Sequence, residues 1–190
     1  MKNIAIFASG TGSNFEAIVM AVQSGKLKAE IALLVCDKPD ALVVSKAKSK
    51  GIESFVFSAK NFSGKEAYET EILSQLRKKE VELIALAGYM RIVGKTLLDA
   101  YPNQIVNIHP SLLPHFPGKD AIKQAYDAGV KETGVSVHYV DAGIDTGPMI
   151  SQRKVEIEET DTLEVLEKKV HQVEHVLYVE VLKELLEEKS

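Results

Sequence analysis

The sequence has a single cysteine, Cys36, and so lacks the residues for an internal disulfide or a cysteine-rich zinc site. No apolar run approaches the roughly 20 residues that span a bilayer, and the first apolar run is too short for a signal peptide. With 27 acidic and 23 basic residues, the chain also lacks the positive charge by which general nucleic-acid binders neutralise phosphates. These absences predict a soluble cytoplasmic protein with no membrane and no nucleic-acid partner.

Short apolar segments alternate with segments of helical periodicity, which indicates βαβ units and a parallel sheet. The 190 residues have the size of one domain. The predicted strands are 4–8, 30–36, 54–57, 83–87, 104–108, 134–140 and 149–157. The predicted helices are 15–22, 40–50, 65–79, 119–127 and a long carboxy-terminal helix that follows a capping box of Asp161 and Glu164.

The last two predicted strands are joined by a loop too short for a parallel crossover, so they must form an antiparallel pair. The predicted fold class is therefore α/β: a single-domain open twisted sheet of about seven strands. Its amino-terminal half is parallel and Rossmann-like, its later strands are antiparallel, and a long helix closes the chain.

A glycine loop, Gly10-Thr-Gly-Ser-Asn14, lies between the first strand and the first helix. Unpaired backbone N–H groups at such a helix start favour an anion. The third glycine of the dinucleotide fingerprint is missing because Phe15 stands there, and the lysine of a P-loop is missing too. A monophosphate site fits best. A tight turn with a helix cap remains open, as does a nicotinamide enzyme in which Asp37 binds the ribose.

Asn107 and His109 end the fifth predicted strand and project to the same face of the sheet. Open α/β sheets bind ligands at this carboxyl edge. An amide donor and a proton-exchanging imidazole suit a carbonyl that becomes tetrahedral, although a structural Asn and a core His remain the alternative. Asp145, between two glycines of a later loop, would favour the imidazolium form if it lies beside His109.

The five residues His171-Gln-Val-Glu-His175 match a zinc-binding pattern, H-x-x-E-H, on the last helix. A zinc hydrolase needs a third protein ligand, and few residues follow. We therefore predict no metal. No G-x-S-x-G motif is present, so no covalent acyl-enzyme is expected.

Four motifs occur together in a fixed order: Gly10 to Asn14, Ala87 to Ile92, Asn107 to Pro114, and Asp145 to Pro148. With these motifs the chain resembles the phosphoribosylglycinamide formyltransferase family, folate-dependent transformylases of purine synthesis, from residue 2 to about residue 185. The Asn-x-His-Pro-Ser motif alone is shared with other formyl-tetrahydrofolate enzymes. Its combination with the amino-terminal loop and this length is what points to the narrower family.

The resemblance implies a single formyltransferase domain over 1–190, with a phosphate-binding half (1–100) and a catalytic and folate-binding half (101–190). Asn107 would bind the formyl oxygen, His109 would carry the proton, and Asp145 would support the charged imidazole and order water. The implied ribonucleotide contacts are Gly12, Ser13, Asn14 and Glu174. The implied folate contacts are Lys65, Met90, Arg91, Ile92, Val93, Asn107, Val140 and Asp141. Lys65 stands where family members often have Arg, and it loses the bidentate fork.

The implied reaction moves a formyl group from the co-substrate 10-formyltetrahydrofolate to the amine of glycinamide ribonucleotide. It yields the N2-formyl product and tetrahydrofolate in IMP biosynthesis by direct transfer, in a monomer or homodimer. The alternative is a formyltetrahydrofolate hydrolase, whose relatives carry an additional amino-terminal domain. Methionyl-tRNA formyltransferases need a further RNA-binding domain, and a non-enzymatic nucleotide-binding module remains a third class.

Overall fold

The computed structural model describes residues 1–188, and in them it contains seven strands and six α-helices. The strands are β1 (Lys2–Ala8), β2 (Ala29–Cys36), β3 (Ser54–Val56), β4 (Leu83–Leu86), β5 (Ile105–His109), β6 (Glu132–Tyr139) and β7 (Met149–Glu156). The helices are α1 (Ser13–Gln23), α2 (Leu42–Ser49), α3 (Lys65–Lys78), α4 (Lys95–Ala100), α5 (Ala121–Asp127) and α6 (Leu163–Glu188). A 3-10 turn covers Ala59–Asn61.

All seven strands form one sheet in the order β3-β2-β1-β4-β5-β6-β7. The pairs from β3 to β5 are parallel, whereas β6 pairs antiparallel with both β5 and β7. The predicted fold class is confirmed, including the antiparallel pairing of the last two strands, and the structure adds that β6 is also antiparallel to β5. Because β1, β4 and β5 are parallel neighbours, their carboxyl ends and the loops that follow them meet at one edge of the sheet.

Helices cover both faces of the sheet. One apolar cluster joins the sheet to α1, α2, α5 and α6, and a second joins its other face to α3 and α4. β1 and β4 are buried over most of their length, which explains why their sequences are apolar rather than alternating.

Two details of the helices differ from the sequence expectation. α6 is capped by Thr162, whose side-chain oxygen accepts the Val165 N–H at 3.2 Å, so the predicted cap at Asp161 is wrong by one residue. The Asp161 carboxylate instead accepts bonds from the Glu158 N–H and from Lys169, which compete for the oxygen a cap would use. α4 had no sequence prediction, because six residues are too few to show a helical period.

The long helix α6 is fixed to the centre of the sheet by Tyr178. This side chain is 1% exposed, and its hydroxyl donates to the Leu86 carbonyl at 2.7 Å, at the end of β4. α6 thereby spans the sheet just below the edge where β4 and β5 end. No helix within residues 1–188 is both long enough and apolar enough to cross a membrane.

We predict that Tyr178→Phe lowers the free energy of unfolding by about 1 kcal/mol, because a buried hydrogen bond is lost while the ring packing is kept. Urea unfolding measures the change. Tyr126→Phe, on the surface of α5, is the matched control and should change nothing. Equal stability of the two variants would contradict the role given to the Tyr178 hydroxyl.

Candidate active site

A cleft of about 960 Å³ opens at the carboxyl edge of the sheet, between the loops that follow β1, β4, β5 and β6. Its volume suits a pair of small organic substrates. It contains nearly every residue that the sequence singled out, namely Gly12, Ser13, Asn14, Met90, Arg91, Ile92, Val93, Asn107, His109, Val140, Asp141, Asp145 and Glu174. Lys65 alone of the predicted site residues is not part of its lining.

One end of the cleft is the start of α1. Gly12 has φ of +77°, and a Cβ built on it would lie 2.6 Å from Cγ2 of Val43 on α2. The position therefore requires glycine both for its left-handed backbone and for its close approach to α2. The side-chain oxygen of Asn14 is buried without a hydrogen-bond partner, which marks a place for a donor from a bound molecule.

Asn107, His109 and Asp145 come together in the middle of the cleft. Nδ1 of His109 lies 3.5 Å from Oδ2 of Asp145, and both side chains are mostly buried. Asp145 has a positive φ of 54°, which Asp tolerates better than most residues, and its Oδ2 accepts the Gly118 N–H at 2.9 Å. Nε2 of His109 donates to the Phe116 carbonyl at 2.9 Å. The structure thus brings Asp145 to His109, which the sequence left open.

His138 is a site residue that the sequence analysis did not select. It is 2% exposed and pairs with Asn107 across β5 and β6. Its Nδ1 donates to the Tyr139 carbonyl at 2.8 Å, so the neutral ring leaves Nε2 as an acceptor for the Asn107 amide nitrogen, 3.3 Å away. His138 therefore sets the direction of the Asn107 amide. The sequence feature that could have identified His138 is its position on the polar face of β6, whose residues alternate between polar and apolar.

Glu174 reaches the cleft from α6. It is 5% exposed, and its Oε2 accepts a hydrogen bond from Nδ1 of His171 at 2.5 Å. This bond to Glu174 raises the pKa of His171 above its ordinary value of 6.5, whereas burial lowers the pKa of His175. Within residues 1–188 no group of three or more His, Cys, Asp or Glu side chains is arranged to hold a metal ion.

The other end of the cleft is lined by the segment after β4 and by the loop after β6. Met90 and Ile92 are 62% and 47% exposed and present apolar surface. Asp141 accepts bonds from the Thr146 hydroxyl and the Gly143 N–H, which lower the pKa of its carboxyl group. Lys65 lies on α3, outside the cleft lining, and its Nζ donates to the Ile92 carbonyl at 2.8 Å.

A family model described as formyl transferase matches residues 2–182 of the chain. The match includes the glycine loop, the segment after β4 and the Asn107, His109 and Asp145 group. The chain therefore belongs to the formyl transferase family.

Individual relatives indicate which group within the formyl transferase family the chain resembles most. The chain is 57% identical to the phosphoribosylglycinamide formyltransferase of Bacillus subtilis, covering 98% of this chain and 95% of that protein. Its structure matches that of glycinamide ribonucleotide transformylase 1 from Geobacillus kaustophilus with a TM-score of 0.95 and 59% identity, covering 98% and 99% of the two chains. The chain is a member of the phosphoribosylglycinamide formyltransferase group of the family.

A longer relative contains the same unit. Over 92% of this chain there is 40% identity to a protein of Drosophila melanogaster named trifunctional purine biosynthetic protein adenosine-3, and the matched part spans 13% of that protein. A similar unit therefore also occurs within a larger polypeptide.

We predict that Gly12→Ala lowers the free energy of unfolding by about 1–3 kcal/mol, because it forces a strained backbone and a clash with Val43. Gly10→Ala in the same loop is the control, since a Cβ there meets no atom within 4 Å. Chemical denaturation of both variants makes the comparison. The two glycines behaving alike would contradict the argument.

We predict that the His171–Glu174 pair stabilises the protein only while the histidine is charged. Because the folded pKa of His171 is raised above 6.5, its contribution is complete below that pH and is lost as pH rises through the folded pKa. The difference in unfolding free energy between the parent and His171→Gln should therefore be larger at mildly acidic than at alkaline pH. The same difference at both pH values would contradict the assignment.

Proposed function

We propose that the chain transfers the formyl group of 10-formyltetrahydrofolate to the amine of glycinamide ribonucleotide, giving the N2-formyl product and tetrahydrofolate in purine biosynthesis. The observation that carries this proposal is the meeting of Asn107, His109 and Asp145 in one cleft that also contains the helix start at Gly12. The names of the close relatives point to the same reaction.

The ribonucleotide occupies the end of the cleft at α1. Its phosphate lies against the backbone of Gly12 and Ser13, where unpaired N–H groups and the helix dipole favour an anion. Asn14 offers its unpartnered amide oxygen to a ligand donor. Glu174 accepts from the hydroxyl or amine groups of the sugar side, and His171 holds its carboxylate in place.

The formyl donor occupies the opposite end, against Met90 to Val93 and the loop around Val140 and Asp141. Exposed apolar side chains and backbone groups there suit a flat heterocycle with a polar edge. Lys65 contributes indirectly in this structure, because it contacts the Ile92 backbone. Both halves of the chain thus contribute to both ends, so the division into a phosphate half, 1–100, and a folate half, 101–190, describes only part of each site.

Transfer is direct. The ribonucleotide amine attacks the formyl carbon, the carbonyl oxygen becomes an oxyanion, and collapse of the intermediate breaks the bond to N10 of the folate. The proton lost by the amine ends on N10. The site lowers the barrier first by holding the two substrates together, an effect worth several kcal/mol.

Asn107 and His109 stabilise the oxyanion. One amide hydrogen of Asn107 is directed at His138, which leaves the other for the formyl oxygen. The Nε2–H of His109, held by the Phe116 carbonyl in this structure, turns to the reacting centre when substrate displaces that contact. Asp145 stabilises the charged imidazolium and orders water beside it.

A hydrolase would use the same three residues but would transfer the formyl group to water. It would therefore need no binding site for the phosphate of a ribonucleotide. The glycine loop and the transferase names of the close relatives favour the transferase. We also propose that no metal takes part, that the enzyme is cytoplasmic, and that it is a monomer or homodimer without a nucleic-acid or membrane partner.

The reaction is tested by following folate release by absorbance, with and without glycinamide ribonucleotide. We expect release to require the ribonucleotide and to be abolished in His109→Ala. Release at one rate in both conditions would overturn the proposal in favour of the hydrolase.

We predict that Asn107→Ala lowers kcat by on the order of a hundredfold to a thousandfold, because an oxyanion donor is removed. Asp145→Asn keeps the hydrogen-bonding shape but removes the charge, and should lower kcat by on the order of a hundredfold. Asp127→Asn, on the exposed face of α5, is the control. Full activity in Asn107→Ala or Asp145→Asn would contradict the assigned roles.

A further inference from the structure

The segment 88–94, which joins β4 to α4, contains neither helix nor strand. Four of its residues, Met90 to Val93, nevertheless line the cleft, and two of these are substantially exposed. A stretch without regular backbone pairing needs other contacts to keep one shape. Some of those contacts are a backbone bond from the Ser9 N–H to the Gly88 carbonyl and the buried side chains of Tyr89 and Val93. The others come from two buried carboxylates that do not line the cleft with the catalytic residues.

Asp37, which directly follows β2, holds the amino-terminal part of the segment. Its side chain is 1% exposed, and both of its oxygens are bonded. Oδ1 accepts the Ser9 hydroxyl, whose oxygen in turn accepts the Met90 N–H at 2.9 Å. Oδ2 accepts Nε of Arg91 at 2.8 Å, and the Arg91 guanidinium lies over the Tyr68 ring, 5.6 Å from its centre.

Glu69, on α3, holds the carboxy-terminal end of the segment. It is 1% exposed, and its Oε2 accepts the Gly94 N–H at 2.8 Å. Its neighbour on the same helix, Lys65, holds the Ile92 carbonyl at 2.8 Å. The fit is close, because a Cβ built on Gly94 would lie 2.6 Å from Oε1 of Glu69.

Burying a carboxylate is unfavourable unless strong hydrogen bonds compensate for lost hydration. Apolar residues at positions 37 and 69 would satisfy the core without that cost. The hydrogen bonds that these two carboxylates make run to the segment or, through Ser9, to the segment's backbone. Their common effect is to hold Met90 to Val93 in one conformation before any ligand arrives.

We propose that Asp37 and Glu69 are positioning residues for the formyl donor, which fasten the two ends of segment 88–94 so that it is preformed for the folate. The inference rests on the proposed function, because it takes the folate to bind against this segment. It assigns no contact between either carboxylate and the substrates. Loss of either anchor should therefore weaken donor binding and leave the ribonucleotide end of the cleft intact.

The test compares steady-state constants of Asp37→Asn and Glu69→Gln with two exposed controls, Asp40→Asn and Glu66→Gln. Each anchor variant should raise KM for 10-formyltetrahydrofolate about tenfold, since bonds to a charged acceptor are the stronger kind. KM for the ribonucleotide should stay within about twofold of the parent, and the controls should match the parent. An unchanged donor KM, or an equal rise in both KM values, would overturn the inference.

Gly94→Ala provides a second route that keeps both carboxylates. The added methyl group displaces the Glu69 carboxylate from the Gly94 N–H, so the same selective rise in donor KM is expected. Calorimetric titration of the folded variants with tetrahydrofolate measures folate affinity without turnover, and an affinity equal to the parent's would overturn the inference. Should one substitution prevent folding, the remaining two variants carry the test. Failure of the proposed function would differ, since the parent protein itself would show no ribonucleotide-dependent release.

Discussion

The antiparallel pairing of β6 against β5 is the constraint on which the site depends. It sets Asn107 opposite His138 and ends β6 beside the loop that carries Asp145. A shift of this register by one residue would turn every side chain of β6 to the opposite face of the sheet. Asn107 would then lose the acceptor that directs its amide, and the geometry that favours formyl transfer would be lost.

The remaining parts of the fold hold this pairing in place and build the two ends of the cleft. The parallel strands deliver the glycine loop and segment 88–94 to the same edge of the sheet, while α6 crosses beneath and brings Glu174. Polar contacts, in addition to apolar packing, fix the strand ends and loops at this edge. Tyr178 bonds the end of β4, Asp37 and Glu69 bond segment 88–94, and Asp145 bonds the Gly118 N–H.

Much of this could be predicted because the signals are local. A buried parallel strand is a continuous apolar run, a glycine loop before a helix predicts an anion site, and two polar residues spaced by two share a strand face. These patterns were enough for the sheet and for the position of Asn107 and His109 at its carboxyl edge. The approach of Asp145 to His109 was left open, because Asp145 lies 36 positions further along the chain and only the tertiary fold joins them.

The rest depended on contacts that no local pattern encodes. His138 belongs to the site because it lies opposite Asn107 on the neighbouring strand. Lys65, implied as a folate contact, lies behind the segment because α3 packs on the opposite face of the sheet from α1. Thr162 rather than Asp161 caps α6, because Lys169, nearly two turns into the helix, binds the Asp161 carboxylate. The sequence left open a role for Asp37 in ribose binding. In the structure both of its carboxylate oxygens are hydrogen-bonded within the protein.

In the proposed reaction the formyl group passes directly to the ribonucleotide amine in this cleft. The most direct measurement supplies 10-formyltetrahydrofolate carrying ¹³C in the formyl group, together with glycinamide ribonucleotide, and follows the label by NMR. We expect the label to appear in the formamide of the ribonucleotide product. Label released as free formate while the ribonucleotide stays unmodified would contradict it.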